Sequence, residues 1–374
     1  MIIDVLFIKV DAFDSPGLIN DLKKSNKNYL FINFNPKKGI YVGKNNINFK
    51  SDNFISKMIL SNINARLYYL FYPIIFFIDY FNFFFSLKRY LKNFTEIKNV
   101  YCDNTFFAFF ISILKKRFFI RNFIYASHDW LPYDKSKKFW SLFGKNIFLI
   151  FDYFNSKSCN YIFNHTHYVS DLRNKKWKNK FIDKSIIFYP QLFFNSKMQN
   201  FDKVKNQICF LGHVKDYRGL TLIIDYCFKK KIKLVIAGMK NNITSKLEDY
   251  CLLKNFKDTL KVTGYLPRED MLKTVQSSFL GVNLTFTESY TDIVLPSKLF
   301  DYIQNYTPSL VSSTQLYSSN LINKFNLGEV IENDNLDEVS SKIEKIILNY
   351  ESYINNIKKF QKDYRETNIF NYLV

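Results

Sequence analysis

The chain has 374 residues, 47% of them hydrophobic, which is enough for two domains with packed cores and excludes a disordered tail. Its net charge of +20 is uneven: residues 1–200 hold 30 of the 53 Lys and Arg but only 13 of the 33 Asp and Glu. Cys102, Cys159, Cys209, Cys227 and Cys251 are scattered and form no C-x-x-C pair, which argues against a disulfide framework or zinc site and for reduced thiols in a cytoplasmic enzyme.

The first residues, M-I-I-D-V-L-F-I, lack a basic leader and include Asp4, so no signal peptide is expected. Ile2 to Val10 is a near-continuous apolar run and reads as a buried strand. The chain then turns at Ser15-Pro16-Gly17 into a helix, and Asn28 to Phe34 reads as a second strand. Strand, glycine turn and helix make a Rossmann-like opening, though without G-x-G-x-x-G there is no dinucleotide fingerprint. Residues 54–95 are aromatic and read as helical. Within them the uncharged run Leu67 to Ile78 contains Pro73 and is too short for a bilayer, which takes ~20 apolar residues.

Further on, Val100–Cys102 and Asn122–Ser127 read as strands around a helix at Thr105–Lys116. The second of these strands runs into His128-Asp129-Trp130. A helix follows to about Phe154, then the strand C-N-Y-I-F-N, a basic helix ending near Lys180, and a strand at Ser185–Phe188. The polar stretch Asn195 to Asn206 reads as a linker.

In the second half, strands are expected at Ile208–Leu211, Ile232–Ala237, Leu260–Thr263, Phe279–Leu284, Ser309–Ser313 and near Val330. Helices are expected at Leu220–Phe228, Asn242–Leu253, Glu269–Ser277, from Pro296, at Leu316–Phe325 and from Leu336 onward. Regular alternation predicts parallel sheets in both halves. The expected domains are 1–195, basic and aromatic, and 205–350, with a terminal helix over 351–374 packing back toward the first.

Three turns carry chemistry. In F-L-G-H-V-K-D-Y-R-G-L, Gly212 ends a strand where a ligand can approach the backbone, and Arg218 opens the next helix, where it can meet a phosphate. His213, a lone loop histidine, is weaker. In K-V-T-G-Y-L-P-R-E-D, Gly264 ends a strand and Pro267 starts a helix, at the sheet edge where α/β ligands sit. In P-S-K-L-F-D-Y, backbone N–H groups at Ser297 and Lys298 and the lysine's cation suit a phosphate, and Asp301 can accept from hydroxyls. Taken singly, each is also an ordinary turn or amphipathic helix.

In order, G-H-x4-R-G, A-G, G-Y-L-P and P-S-K-L-F-D-Y…T-P-S-L-V-S-S resemble the donor-binding domain of glycosyltransferase family 4 (group 1), over about residues 207–313. The resemblance implies an α/β fold of two Rossmann-like domains whose parallel sheets face a central cleft, the GT-B architecture. It implies that Gly212, His213 and Arg218 face the donor diphosphate, that Ser297 and Lys298 cap the phosphates and that Asp301 takes the ribose. Tyr265 and Leu266 fall where the family holds the nucleobase. The family's E-x7-E places its first carboxylate at Ile293, so Asp292 or Glu288 would have to substitute. His213 and Asp301 replace the usual basic residue and Glu, and Asn305-Tyr306-Thr307 stands where the family has a Gly before Pro308. In the first half His128 is the expected catalytic histidine, His165 and His167 candidates for the acceptor cleft, and Gly17 a place for the donor to approach.

The segments K-R-Y-L-K-N-F, L-K-K-R-F-F-I-R-N-F and R-N-K-K-W-K-N-K interleave cations with rings and suit an anionic membrane surface. No nucleic-acid motif accompanies them, and no nucleic-acid partner is expected. The expectation is a glycosyltransferase, a hexosyltransferase in kind. It moves a sugar from a nucleotide-diphosphate sugar to a glycan or lipid-linked acceptor in surface polysaccharide synthesis, without metal or cofactor and with retention favoured. It would work on the cytoplasmic face of the cell membrane. Competing readings are a nucleotide-sugar epimerase or hydrolase of the same fold, and a peripheral membrane or nucleic-acid binding protein with a non-catalytic donor domain.

Overall fold

The computed structural model of the chain describes residues 2–10, 29–35, 39–43, most of 81–133, 139–187, most of 204–286, residue 293, 296–363 and 369–373. It divides into two compact units, Met1–Gln191 with Thr367–Val374, and Leu192–Glu366.

Among the described residues the first unit is built on a seven-stranded sheet. Its strands are β1 (Ile2–Val10), β2 (Tyr29–Asn35), β3 (Gly39–Gly43), β4 (Glu96–Cys102), β5 (Ile120–Ser127), β6 (Tyr161–Asn164) and β7 (Ser185–Ile187), in the order β3-β2-β1-β4-β5-β6-β7. All pairs are parallel except β2–β3, an antiparallel edge that the alternation of elements did not announce. Helix α1 (Thr105–Leu114) starts where the Asn104 side chain accepts from the N–H groups of Phe106 and Phe107. It packs beside α2 (Phe139–Ser158), with the rings of Phe109 and Phe151 stacked at 4.2 Å.

Helix α3 (His167–Lys176) belongs to the run read as a basic surface, yet its Arg173 is fully buried. Its guanidinium pairs with the equally buried Asp152 of α2 at 2.9 Å and lies between the rings of Tyr125 and Trp130. Asp152 also accepts from the Tyr125 hydroxyl and the Trp177 indole, each at 2.8 Å. Two charges taken out of water need such a complete set of partners. The result pins α2 and α3 to β5 and removes Arg173 from the basic surface.

Two parts of the carboxy-terminal stretch expected as a helix over 351–374 are described. A helix over Tyr350–Asp363 packs in the second unit, and a short turn at Ile369–Tyr372 lies in the first. There Asn122 donates to the Tyr372 carbonyl and the Tyr372 ring packs on Tyr161 and Phe163.

Among the described residues the second unit has six strands: β8 (Val204–Leu211), β9 (Lys233–Ala237), β10 (Leu260–Val262), β11 (Ser278–Asn283), β12 (Ser309–Ser312) and β13 (Gly328–Ile331). All are parallel, in the order β10-β9-β8-β11-β12-β13. The helices are α4 (Tyr217–Lys230), α5 (Asn242–Leu253), α6 (Arg268–Gln276), α7 (Ser297–Gln304), α8 (Leu316–Phe325), α9 (Leu336–Leu348) and α10 (Tyr350–Asp363). β8 begins inside the stretch read as linker. Its residues 208–211 and β11 are buried, as parallel strands covered on both faces must be.

The far edge of this sheet carries a buried carboxylate, Glu329 of β13. Tyr353 and Lys342 donate to it at 2.5 and 2.9 Å, and Lys345 pairs with it at 2.7 Å. Burial alone would raise Glu329, but Lys345, Tyr353 and Lys342 together outweigh it and hold the carboxyl below its usual value. The stabilisation is therefore present above the unfolded-state value and is lost as pH falls through the folded-state one. Replacing Glu329 by Gln is expected to cost roughly 1–2 kcal/mol at pH 7, since two of the donors are partly wet. Urea melts of the two proteins should converge as pH falls through the lowered folded-state value of Glu329; an unchanging gap would show that the ion cluster is not its source.

Candidate functional site

In the second sheet, β8, β9 and β10 wind outward to one side, and the chain then crosses back so that β11 lies on the other side of β8. The carboxyl ends of β8 and β11 are thus the topological switch point, where open α/β sheets leave a crevice. The ladder between them runs to Phe210 opposite Val282. Beyond that pair the buried Tyr302 of α7 enters between the strands. The Leu211 N–H donates to its hydroxyl at 3.0 Å, and the hydroxyl donates to the Val282 carbonyl at 3.1 Å. One phenol therefore replaces a direct strand-to-strand bond and ties α7 to both strand ends. Its ring lies flat on Gly281, where any Cβ would collide with it.

The loops above this point are packed together. Gly212 has φ +83, and its N–H donates to the Ala237 carbonyl at 2.8 Å. Gly238 touches the Gly212 carbonyl so closely that no side chain fits between the β8 and β9 ends. After β11, the Thr285 N–H donates to the Ser312 hydroxyl at 3.0 Å, and that hydroxyl donates back to the Thr285 carbonyl at 2.7 Å. This reciprocal pair anchors the start of the 286–296 segment to β12.

The expected site residues of this unit fall as follows. Ser297 is exposed at the start of α7, whose first turn begins at Pro296 and has no side-chain cap. Lys298 is half-buried, with its ammonium 4.3 Å from the centroid of the Phe210 ring at the end of β8. Leu266 packs on a small cluster with Leu211, Ala237 and Tyr302, while Tyr265 beside it is 81% exposed. Gly212, Leu266, Lys298 and Tyr302 are thus gathered around the ends of β8 and β9 and the start of α7. Ile293, at the position expected for the first carboxylate, is 1% exposed and belongs to the core. His128, Asp292, Gly17 and His213 lie outside the described residues, as does Glu288. Arg218 stands in the first turn of α4, its side chain likewise undescribed. In the first unit His165 is buried after β6, and His167 opens α3 with its ring against Tyr168.

Asp301 departs from the simplest expectation, since its carboxylate does not stand open for a hydroxyl. It is buried, and both oxygens accept from Arg268, the first residue of α6, with Nη1 on Oδ2 at 2.8 Å and Nη2 on Oδ1 at 2.5 Å. Burial raises the Asp301 carboxyl, and the Arg268 hydrogen bonds and charge oppose that rise. Arg268 and Tyr302 both lie within the sequence motifs, but the motifs give neither a role. The signal for Arg268 is a cation directly after Pro267, at the sheet edge. For Tyr302 it is a hydroxyl on the otherwise apolar face of α7.

All five cysteines are buried, and burial pushes up the thiols of Cys102, Cys159, Cys227 and Cys251, so these four stay protonated. Among the described residues no three His, Cys, Asp or Glu side chains come together as a metal site, and no helix is long and apolar enough to cross a membrane.

The family model of glycosyl transferases group 1 matches residues 193–363, which is nearly the whole second unit. This chain carries a group 1 glycosyl transferase domain. Sequence comparison with curated proteins finds no match. Among solved structures, the glycosyltransferase is similar to HepE of Anabaena in complex with UDP, at 10% identity, over 96% of this chain and 94% of that one, with a TM-score of 0.62. It is likewise similar to sucrose-phosphate synthase of Thermosynechococcus elongatus, at 11% identity, over 96% and 94% of the chains, with a TM-score of 0.62. A third is an α,α-trehalose-phosphate synthase (UDP-forming) of Burkholderia vietnamiensis, at 9% identity, 95% and 96% coverage and a TM-score of 0.59. The fold class is GT-B. One departure from the family pattern has a backbone counterpart: Tyr306, two residues before Pro308, takes the left-handed conformation with φ 53 where the family has Gly.

Replacing Tyr302 by Phe keeps the ring on Gly281 but leaves the Leu211 N–H and the Val282 carbonyl buried without their partner. The expected cost is about 1–3 kcal/mol, read as a lower urea midpoint for the second unit. A variant as stable as the parent would show that the strand ends do not depend on the hydroxyl.

Proposed function

We propose that the chain transfers a sugar from a nucleotide-diphosphate sugar to a glycan or lipid-linked acceptor in surface polysaccharide synthesis. The supporting observation is the switch point of a group 1 domain, where Tyr302 ties α7 to the ends of β8 and β11 and the uncapped start of α7 and Lys298 lie beside them. Backbone N–H groups and a cation there suit a diphosphate leaving group, whose developing charge they would stabilise without a metal ion. Tyr265 and Leu266 would meet the base and Asp301 the ribose, with Gly212, His213 and Arg218 along the phosphates and Gly17 a place for the donor to approach. His128, directly after β5, would position or deprotonate the acceptor hydroxyl, with Asp292 as the carboxylate on the sugar side. Retention is the favoured outcome, and a hexose the favoured sugar. HepE, a protein of similar fold, has been crystallised with UDP and with UDP-glucose; a nucleotide-sugar donor is the corresponding reading for this chain.

The test is a thermal-shift and hydrolysis screen with UDP, GDP, ADP and their sugar derivatives. A donor at a hundred times its Kd should stabilise by about 2.7 kcal/mol, and Lys298→Ala and Arg218→Ala should weaken that shift. His128→Ala should lower turnover while leaving donor affinity nearly unchanged. If none of these nucleotides shifts the melt at millimolar concentration, the transferase reading falls.

An anionic membrane surface is the proposed site of work. On the first unit Leu142, Phe143, Ile150 and Phe154 of α2, Ile113 of α1 and the nearby Phe119 are exposed, with the cations of the 115–121 stretch beside the last two. Rings and cations together suit a headgroup boundary, each cation contributing ~1 kcal/mol. The protein should float with vesicles containing anionic lipid and not with neutral ones, and Phe154→Ser should reduce flotation. Equal recovery with both vesicle types would remove this surface from the reading.

A further inference from the structure

Arg268 is unusual in being an exposed cation committed to a buried acid. Its side chain is 55% exposed, while that of Asp301 is 10% exposed, and the two meet through two parallel hydrogen bonds. A pair that served only to join α6 to α7 would have little to do, because the other ends of these helices are already joined. There Gln276 donates to the Asn305 side chain at 3.0 Å, and Asn305 donates to the Asp301 carbonyl at 2.8 Å. The pair sits instead at the carboxyl edge of the sheet: Arg268 opens α6 after the loop of Tyr265 and Leu266, and Asp301 lies one turn from the start of α7. Burying a carboxylate is costly, and such a pair is often replaced by apolar residues without loss of stability. A buried acid kept at a sheet edge therefore points to use.

The geometry also leaves capacity. Two N–H groups occupy one lone pair on each carboxylate oxygen, and each oxygen can accept once more. The guanidinium has five donors, and the two bonds to Asp301 engage two of them. We propose that Arg268 is a positioning residue of the donor site. It holds the Asp301 carboxylate in the orientation that takes a ribose hydroxyl and turns its own outward N–H groups to the nucleotide. The inference rests on the proposed donor site at the switch point.

The charge balance around Asp301 makes this measurable. On the elements packed against it, α6 carries Arg268, Glu269, Asp270 and Lys273, the last two paired with each other. On its own helix stand Lys298 and Tyr302, and β11 and β12 supply no titratable side chain. α10 reaches α7 through the uncharged Gln361, while its Glu351, Lys358, Lys359, Lys362 and Asp363 are exposed and its Tyr353 is engaged with Glu329. Of these charges, Arg268 is the one that acts on the Asp301 carboxyl. Without it, burial is unopposed, and the acid takes up a proton at a higher pH than in the parent.

The experiment is calorimetric titration of UDP, GDP and ADP into the full chain between pH 6 and 8.5, for the parent, Arg268→Ala, Arg268→Lys, Asp301→Asn and the double variant Arg268→Ala/Asp301→Asn. For the nucleotide that the parent binds, Arg268→Ala should bind about tenfold more weakly, the size of one hydrogen bond to a charged group. Its affinity should fall more steeply than the parent's as pH drops, Arg268→Lys should recover part of the loss, and the double variant should be weak and keep the parent's pH profile. Arg268→Gln, which keeps length and a donor, replaces the alanine variant if circular dichroism shows that one unfolded. Parental affinity and pH profile in Arg268→Ala and Arg268→Gln, alongside weak binding by Asp301→Asn, would reduce the pair to a staple between helices and overturn the inference. Failure of the parent to bind all three nucleotides would instead remove the donor site on which it depends.

Discussion

Two parallel strands that reach the same edge of a sheet normally continue hydrogen bonding until one of them turns away. In this protein the separation is held open by an inserted hydroxyl. Tyr302 takes the Leu211 N–H and gives its proton to the Val282 carbonyl, so that both buried groups are satisfied although the strands no longer touch there. Everything else at this edge refers to that wedge. The helix that carries it begins with Ser297 and Lys298 beside the end of β8, its next turn carries Asp301, and Leu266 packs on the cluster that holds its ring. The position of α7 is therefore set from below, by the sheet.

The two units use buried charge differently. In the first, Arg173 and Asp152 are sealed among Tyr125, Trp130 and Trp177, with no part left to solvent, and the arrangement fixes helices to a strand. In the second, Asp301 is buried but its partner is not, so one side of the ion pair remains accessible. The same bonding pattern is structural in the first unit and, in the role proposed for Arg268, functional in the second. What distinguishes them is whether the cation has N–H groups left to offer.

Much of the architecture was legible because alternating strands and helices leave strong local signatures: continuous apolar runs such as Ile2–Val10, and Pro or Gly at the turns. The order of the short motifs carries the group 1 resemblance, which the family match over residues 193–363 bears out. The antiparallel β3 was not legible, since its five residues, Gly-Ile-Tyr-Val-Gly, form too short a run to separate from a turn. Arg173 read as surface because a basic run looks the same whether or not one member folds inward. The Arg268–Asp301 pair spans 33 residues and arises from tertiary packing alone, so no local pattern announces it. Tyr306 shows the opposite case: the motif asks for Gly, the sequence has Tyr, and the backbone keeps the left-handed conformation that the motif implies.

The contact between Tyr302 and Gly281 has a consequence for how this sequence can drift. The ring occupies the space that any side chain at position 281 would need, and the strand on which Gly281 sits is buried between neighbours on both sides. Neither position can change in size alone. A larger residue at 281 is tolerable only with a smaller one at 302, and a smaller one at 302 gives up the hydroxyl between the strands. The two sites therefore behave as one heritable unit, and among relatives that keep the crevice, a glycine at one should travel with an aromatic hydroxyl at the other.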